Sequence, residues 1–441
     1  MLDSATAANS NQPTAVTGGV SQARRYYILA VLTLVGTMAT LDRQIVAILV
    51  EPIRKDLSLT DTEIGFVKDI AFMLVYVTMC LPVARLADRW SRSKVIAIAL
   101  SVWSISTMLC GVAQNKLQLF FARFGVGFGE AGGSAPSQAY VSDIFPRHQR
   151  ATAMAILVTS ASLGTYLGLN FGGRSLEAYG WRTTFFLAGL PGFILVPLVL
   201  FTFPKIPKGM ADNSDPTLPN ESFLSTLRIL WSVKAFPNMM TAAMLQTIVA
   251  TGIMSWMPAF LSRSHGLDHT TIGSHLGLAL GLGSLIGHLS GGPLSDLLGR
   301  RDLRWHLWVA VIAAPITGCL AIAALLGPVD SVFWLLGILV LLSALTSAPL
   351  LAITMNLAPV ASRATAAACM YLVINAIGLG LGPQVVGIIS DYLHPSLGEE
   401  SLRTALIYAS CVAFPAAYFF YRASRTYVAN IRTIDALNRH Q

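Results

Sequence analysis

The chain has 441 residues, of which 54% are hydrophobic and only 12% charged, against about 25% charged in an ordinary soluble chain. That balance excludes a string of soluble domains and predicts an all-α polytopic membrane protein. The formal net charge of +8 fits Lys and Arg on cytoplasmic loops, so no nucleic-acid partner is expected; the five cysteines, Cys80, Cys110, Cys319, Cys369 and Cys411, stand singly in apolar stretches without disulfide or metal spacing.

Residues 1–23 are rich in Ser, Thr, Asn and Ala, lack the apolar core of a signal peptide, and are expected to form a disordered cytoplasmic tail. Arg24-Arg25 reads as an inside-facing anchor. About 20 apolar residues cross a bilayer as a helix. Twelve such spans follow, at about 26–50, 63–87, 94–114, 116–141, 150–173, 182–203, 236–262, 270–297, 306–326, 332–357, 363–391 and 403–422. Span 1 holds "LDR", which puts Asp42 and Arg43 inside the membrane, where a charge costs roughly 2.5–3.5 kcal/mol even on lenient insertion scales. Span 2 carries Lys68-Asp69 near its outer end. Adjacent residues face different directions on a helix, so this pair is expected to snorkel to the interface.

The loop after span 2 reads "RLADRWSR" (Arg85 to Arg92). Span 4 carries "RFGVGFGEAGGSAP" (Arg123 to Pro136), in which Arg123, Gly127 and Glu130 share one helix face. Small residues permit close helix packing, but packing alone does not require Arg and Glu. A purely structural buried salt bridge is the alternative to a working pair. Span 5 opens with "QRATAMA" (Gln149 to Ala155) and spaces Gly164, Gly168 and Gly172 four apart, a pattern that helix packing explains.

The longest polar interruption is 204–235, with Pro204, Pro207, Pro216 and Pro219. It is expected to be a cytoplasmic linker between a six-helix bundle at 24–203 and a second at 236–424, with a tail at 425–441. Within it, Ser222 to Trp231 is amphipathic and suited to the membrane surface. The second half has no acid or base in mid-span apart from histidine. His275 and His288 lie in span 8; His288 either meets substrate or packs as a neutral, hydrogen-bonded ring. "PLSDLLGR" (Pro293 to Arg300) follows span 8, and "SRATAAA" (Ser362 to Ala368) opens span 11, which also holds Gly378, Gly382 and Pro383.

Two motifs recur at nearly one offset: 208 between Asp88 and Asp296, and 213 between "QRATAMA" and "SRATAAA". They indicate a duplicated six-span unit, the architecture of transporters whose halves rock about a midplane site. With both termini cytoplasmic, 20 of the 30 basic residues fall in inner loops and tails, 7 fall outside, and Arg43, Lys68 and Arg123 lie within spans, as the positive-inside rule demands. Span 1 then runs outward and span 4 inward, so Asp42 and Arg123 should be level. Glu130 should lie roughly 10 Å deeper at 1.5 Å per residue. Asp42, Arg43, Arg123 and Glu130 are thus expected to form one buried cluster. It is neutral when both acids are ionised, and suited to binding an anion and a proton together.

The Leu-x-Asp-x-x-x-Arg pattern after span 2, with its second copy after span 8, resembles the signature loop of the major facilitator superfamily over essentially the whole chain. In that family the loop aspartate pairs across the halves on the cytoplasmic side. The resemblance implies Asp88 near Arg363 and Asp296 near Arg150, where a helix start favours a carboxylate. The implied gate is Asp88, Arg89, Arg92, Arg150, Asp296, Arg300 and Arg363, although ordinary positive-inside loops also account for Arg89, Arg92 and Arg300. "LDR" in span 1, "ADRWSR" after span 2 and "GVGFGEA" in span 4 resemble the Spinster branch, with departures at Leu41, Ala84, Trp90 and Ser91. That branch is associated with lysophospholipid and sphingosine-phosphate export.

The resemblance implies Asp42 and Glu130 as proton-coupling sites, with Arg43 and Arg123 as their partners or as contacts to an acidic head group; Glu130, and from the residue reading His288, complete the candidate substrate contacts. The resemblance implies no enzyme activity, no metal and no cofactor, with a proton gradient as energy source. The expected protein is a monomer in a bacterial inner membrane, both termini cytoplasmic, with membrane lipids around it and a small amphipathic anion as substrate. The alternative is a proton-coupled carrier of small organic or sugar acids.

Overall fold

The computed structural model describes residues 20–204, 206, 223–358 and 363–439. The expected tail up to residue 19 and most of the expected linker lie outside the described residues. Among the described residues every regular element is a helix.

Span 1 is α1 (Gln22–Asp56). Span 2 is built from α2 (Asp61–Gly65), a π-helical turn (Phe66–Ile70) and α3 (Ala71–Arg89). Span 3 is α4 (Arg92–Gly111), and span 4 is α5 (Lys116–Glu130) followed by α6 (Ser134–Ile144). Spans 5 and 6 form the single run α7 (Arg147–Thr202), turned at Gly180, whose φ of 77° is one that glycine adopts without a Cβ penalty. The amphipathic stretch is helical as α8 (Phe223–Ser232). Span 7 is α9 (Ala235–His265), closed by Gly266 in the left-handed region. Span 8 is α10 (His269–Gly299), whose first turn is capped by the Asp268 carboxylate accepting from the Thr271 N–H at 2.9 Å. Span 9 is α11 (Trp305–Leu326), span 10 is α12 (Val329–Leu345) with α13 (Ser347–Asn356), and span 11 is α14 (Arg363–Leu397). Span 12 is α15 (Ser401–Cys411) with α16 (Ala413–Arg439). The expected tail from 425 is therefore a continuation of span 12. Buried Tyr427 and Ile434 hold it against the inner ends of the second half.

By length and composition, eight described helices are apolar enough to cross a membrane, and two of these, of 55 and 52 residues, are long enough to cross twice. Spans 2 and 4 fall short of that measure. One is broken by the π turn and the other at residues 131–133, and both carry charges. The interruptions of the apolar pattern are where the polar chemistry sits.

Glycine rows set the closest helix approaches. Gly164 and Gly168 in span 5 face the backbone of span 1; a Cβ on Gly168 would lie 2.8 Å from the Leu41 carbonyl oxygen and 2.8 Å from Gln44 Cβ. That contact fixes the height of the turn bearing Asp42. Gly168→Ala is expected to cost about 1–3 kcal/mol through overpacking, read as a lower unfolding temperature of the purified protein. An unchanged temperature would mean that span 1 yields freely here.

We use "outer" and "inner" for the two ends of the bundle, with the basic loops on the inner side. Across the halves, Gly273, Gly277 and Gly281 in span 8 receive the backbone and side chains of Ser162, Tyr166 and Leu169 in span 5. The Ser284 hydroxyl still donates to Ser162 at 2.9 Å. One and two turns further inward on the same face lie half-buried His288 and then Gly292, where an added Cβ would meet no atom within 4 Å. The hydrophobic core divides in the same way. One cluster of buried side chains runs through the first half and the outer ends of spans 7–12; a second contains only the inner ends of spans 7 and 9–12 with α8. Among the described residues the halves are joined on the outer side and part on the inner side.

Candidate functional site: a buried acid–base cluster under a closed outer face

Asp42 is buried in span 1. Its Oδ1 accepts from the Thr107 hydroxyl of span 3 at 2.8 Å, and its Oδ2 accepts from Arg123 Nη1 of span 4 at 3.1 Å. Antiparallel spans 1 and 4 bring these two residues to one depth. Arg43, next in sequence, turns the other way. Side chains on a helix lean toward its N-terminus, which in span 1 is the inner end. Arg43 therefore reaches inward, and its Nε and Nη2 donate to Glu130 Oε2 at 2.8 and 2.5 Å.

The four charges thus resolve into two ion pairs with different exposure. Asp42–Arg123 is sealed, at 5% and 3% side-chain exposure. Glu130 is also sealed, at 1%, but its partner Arg43 keeps 32%. Glu130 Oε1 has no hydrogen-bond partner among the described residues. Phe72 of span 2 lies between the pairs, with the Arg43 guanidinium 5.0 Å and the Arg123 guanidinium 5.5 Å from its ring centroid. Tyr76, stacked on Phe72, also faces Arg43 at 5.3 Å. Cations over ring faces are stabilised by about 0.5–2 kcal/mol each, so this aromatic shelf helps hold two guanidiniums in a place hostile to charge. Arg43 is the more exposed of the two arginines in the cluster.

Lys68 does not snorkel. It is 4% exposed, forms an ion pair with Asp69 at 2.6 Å, and donates to the Ser255 hydroxyl of span 7. The expectation fails because Phe66–Ile70 is a π turn. The wider turn changes the angular step between neighbours that the ordinary helix rule assumes.

The expected inner gate is only partly described. The side chains of Asp88 and Arg363 lie outside the described residues. Asp296 is exposed, as are Arg89 and Arg300. Arg150 donates to the carbonyl oxygens of Ser142 at 2.8 Å and Phe145 at 3.4 Å. Arg92 pairs with Asp143 and donates to the Ala139 carbonyl at 3.0 Å, which ties span 3 to span 4 within the first half. His288 lines the parted face of span 8.

The outer side carries a cross-half network absent from the sequence-based expectations. Arg263, at the outer end of span 7, donates through Nε to Glu51 at 2.6 Å and through Nη1 and Nη2 to both oxygens of Asp61 at 2.8 and 2.7 Å. Asp391 of span 11 accepts from the backbone N–H groups of Asp61 and Thr62, at 3.0 and 2.7 Å, in the first turn of α2. Ser390 donates to Asp61 at 2.7 Å. Nearby, His269 of span 8 pairs with Glu177 of span 5 at 3.0 Å. Glu51 and Asp61 look like ordinary loop-side acids in sequence. The usable signal was the capping box Thr60–Glu63, which marks a helix start whose free N–H groups need an acceptor.

The profile of the Major Facilitator Superfamily matches residues 32–431. The chain belongs to this superfamily. Among its relatives is an MFS-type efflux pump of Mycolicibacterium smegmatis, 35% identical over 416 residues, covering 92% of this chain and 94% of that one. Protein spinster homolog 3 of Danio rerio is 23% identical over 434 residues, covering 92% and 86%. Among solved structures, the fold is similar to a bacterial homolog of the human lysosomal transporter Spinster in an inward-facing, unoccupied conformation. The TM-score is 0.83 at 25% identity, with 93% of this chain and 99% of that one covered. The chain is a Spinster-like member of the superfamily, an integral membrane transporter of the major facilitator fold and not an enzyme.

Proposed function

We propose that the protein is a proton-coupled secondary transporter that moves a lysolipid or similar amphipathic anion by alternating access. The observation that carries this reading is the asymmetric pair at the head of the inner cleft. Arg43 is partly exposed, while its counter-ion Glu130 is sealed with one oxygen unpartnered.

A proton taken by Glu130 on Oε1 leaves Oε2 as an acceptor for Arg43 but removes the negative charge. Arg43 then carries an uncompensated charge facing the cleft, and an anionic head group supplies the counter-charge. Asp42 keeps Arg123 neutralised throughout, so only one of the two pairs changes charge. Proton and substrate stabilise the same state of the site, and rocking of the halves carries them in linked fashion. The aromatic shelf and the mainly apolar second half receive the chain. When the inner side closes, Asp88 with Arg363 and Asp296 with Arg150 form the inner contacts, while the outer network releases. His288 sits where spans 5 and 8 separate, within the substrate path. The protein works as a monomer in a bacterial inner membrane with both termini in the cytoplasm.

In sealed vesicles holding the purified protein, single-chain lipids with one anionic head group are expected to bind more tightly as the chain lengthens. The gain is at most about fourfold per CH2, from roughly 0.8 kcal/mol per buried methylene. Equal affinity along the series, with short organic acids transported as well, overturns the amphiphile and favours the small-acid carrier.

A further inference from the structure

Lys68 and Asp69 take no part in the pairing of Asp42, Arg43, Arg123 and Glu130, yet they occupy an unusual position. Lys68 is a buried cation at the seam between the halves. Its two described partners come from opposite sides of that seam: Asp69 on its own π turn, and Ser255 on span 7. Toward the outside, the same two spans carry the Asp61–Arg263 contact. One turn further inward on span 2, the ring of Phe72 meets the Arg123 guanidinium at 5.5 Å. The pair therefore stands between the closed outer face and the acid–base cluster.

We propose that Lys68 is a positioning residue that ties closure of the outer face to the charge balance of the cluster, with Asp69 as its counter-ion and Ser255 as its cross-half contact. This goes beyond the substrate reading and does not depend on it. With the outer face closed, Ser255 stands where water would otherwise solvate the ammonium, and the ion pair is strengthened by the low local dielectric. When the halves part on the outer side, span 7 withdraws Ser255 and water reaches the pair. Linkage makes the effect reciprocal. Whatever strips Lys68 of its counter-charge makes the closed outer face costly, because a buried cation is then left beside the Arg123 guanidinium.

Both residues lie on the π turn Phe66–Ile70, whose wider winding narrows the angle between neighbouring side chains relative to an α-helix.

The test uses distances between spin labels placed at Gln114→Cys and Glu399→Cys, two exposed outer residues on opposite halves, in a cysteine-free background without substrate. Asp69→Asn is expected to shift the distribution from the short to the long distance, since it strands the Lys68 charge. Lys68→Met should shift it less, because the Asp69 carboxylate retains Arg123 nearby. The double variant Lys68→Met/Asp69→Asn, which buries no charge, should return to the short distance. Ser255→Ala should move the distribution in the same direction as Asp69→Asn but by less. The double variant also controls for folding, because it removes the costly charge and keeps the volume. If Asp69→Asn leaves the distance unchanged, or if the double variant is shifted as far as Asp69→Asn, Lys68 only fills space and the proposal is wrong.

Discussion

Glu130→Gln is expected to abolish pH-dependent transport while leaving the protein folded and able to bind substrate. Glutamine keeps an oxygen for Arg43 and matches the shape of a protonated glutamate. The site is then fixed in its proton-loaded charge state, with Arg43 permanently available to an anion. The fold should survive because Arg43 retains 32% exposure and two aromatic faces, so water and the Phe72–Tyr76 shelf can accommodate its charge. Asp42→Asn provides the contrast. It leaves Arg123 sealed with no counter-ion, at a cost of about 3–5 kcal/mol for one broken buried pair, so loss of activity should come with poor folding. The measurements are flux into vesicles over a pH series and thermal unfolding of each variant. Wild-type rates with an unchanged pH profile in Glu130→Gln would falsify the coupling role and leave the pair as a structural salt bridge.

The twelve crossings were legible because a bilayer imposes a length, and apolar runs of that length are visible one at a time. The duplication was legible because two motifs recur at almost one offset. The meeting of Asp42 with Arg123 needed one further step: two antiparallel spans place residues at equal depth, and charges at that depth must find each other. The sequence could not show that the cluster would resolve into one sealed pair and one half-open pair, since this depends on the lean of Arg43 and on what covers each oxygen.

Lys68 was misjudged for a different reason. Residue spacing presumes an ordinary helix, and no hydropathy pattern announces a π turn. The outer network was hidden because its partners are far apart, Arg263 lying 202 residues from Asp61 and 212 from Glu51. Acids and arginines at helix ends pass for solvated loop residues until the halves are assembled. The amphipathic helix Phe223–Ser232 was legible from local periodicity alone. The helical extension beyond residue 424 was not, because its charges resemble those of a tail while Tyr427 and Ile434 bury a single stripe.

Arg263→Ala is expected to open the outer face. The guanidinium is 6% exposed and holds two carboxylates of the first half, Glu51 at one oxygen and Asp61 at both. Without it, buried Glu51 keeps Arg54 at 2.9 Å and Lys55 at 3.4 Å, while among the described ion pairs buried Asp61 keeps only Arg54 at 3.9 Å. Stranding a buried charge costs about 3–5 kcal/mol. A soluble core would meet such a cost by unfolding. Here a second packing of the same halves relieves it, since separation of the outer ends lets water reach both acids. A cost of that size corresponds to a shift of roughly 10²–10⁴ in the ratio of outer-closed to outer-open states. Substrate entering from the inner side should then bind more weakly, by at most that factor, as its competent state becomes rare. Arg263→Lys should fall between, as an ammonium cannot grip Asp61 with two parallel bonds. The check is labelling of Met73→Cys in a cysteine-free background, by a membrane-impermeant thiol reagent added outside; Met73 of span 2 lies below the network and packs across the halves against Gly380 of span 11. Arg263→Ala should raise its rate and Arg263→Lys should raise it less. Equal labelling in all three backgrounds, with the fold intact, means that the outer face is held shut by helix packing at Gly273, Gly277 and Gly281 and that Arg263 is dispensable to it.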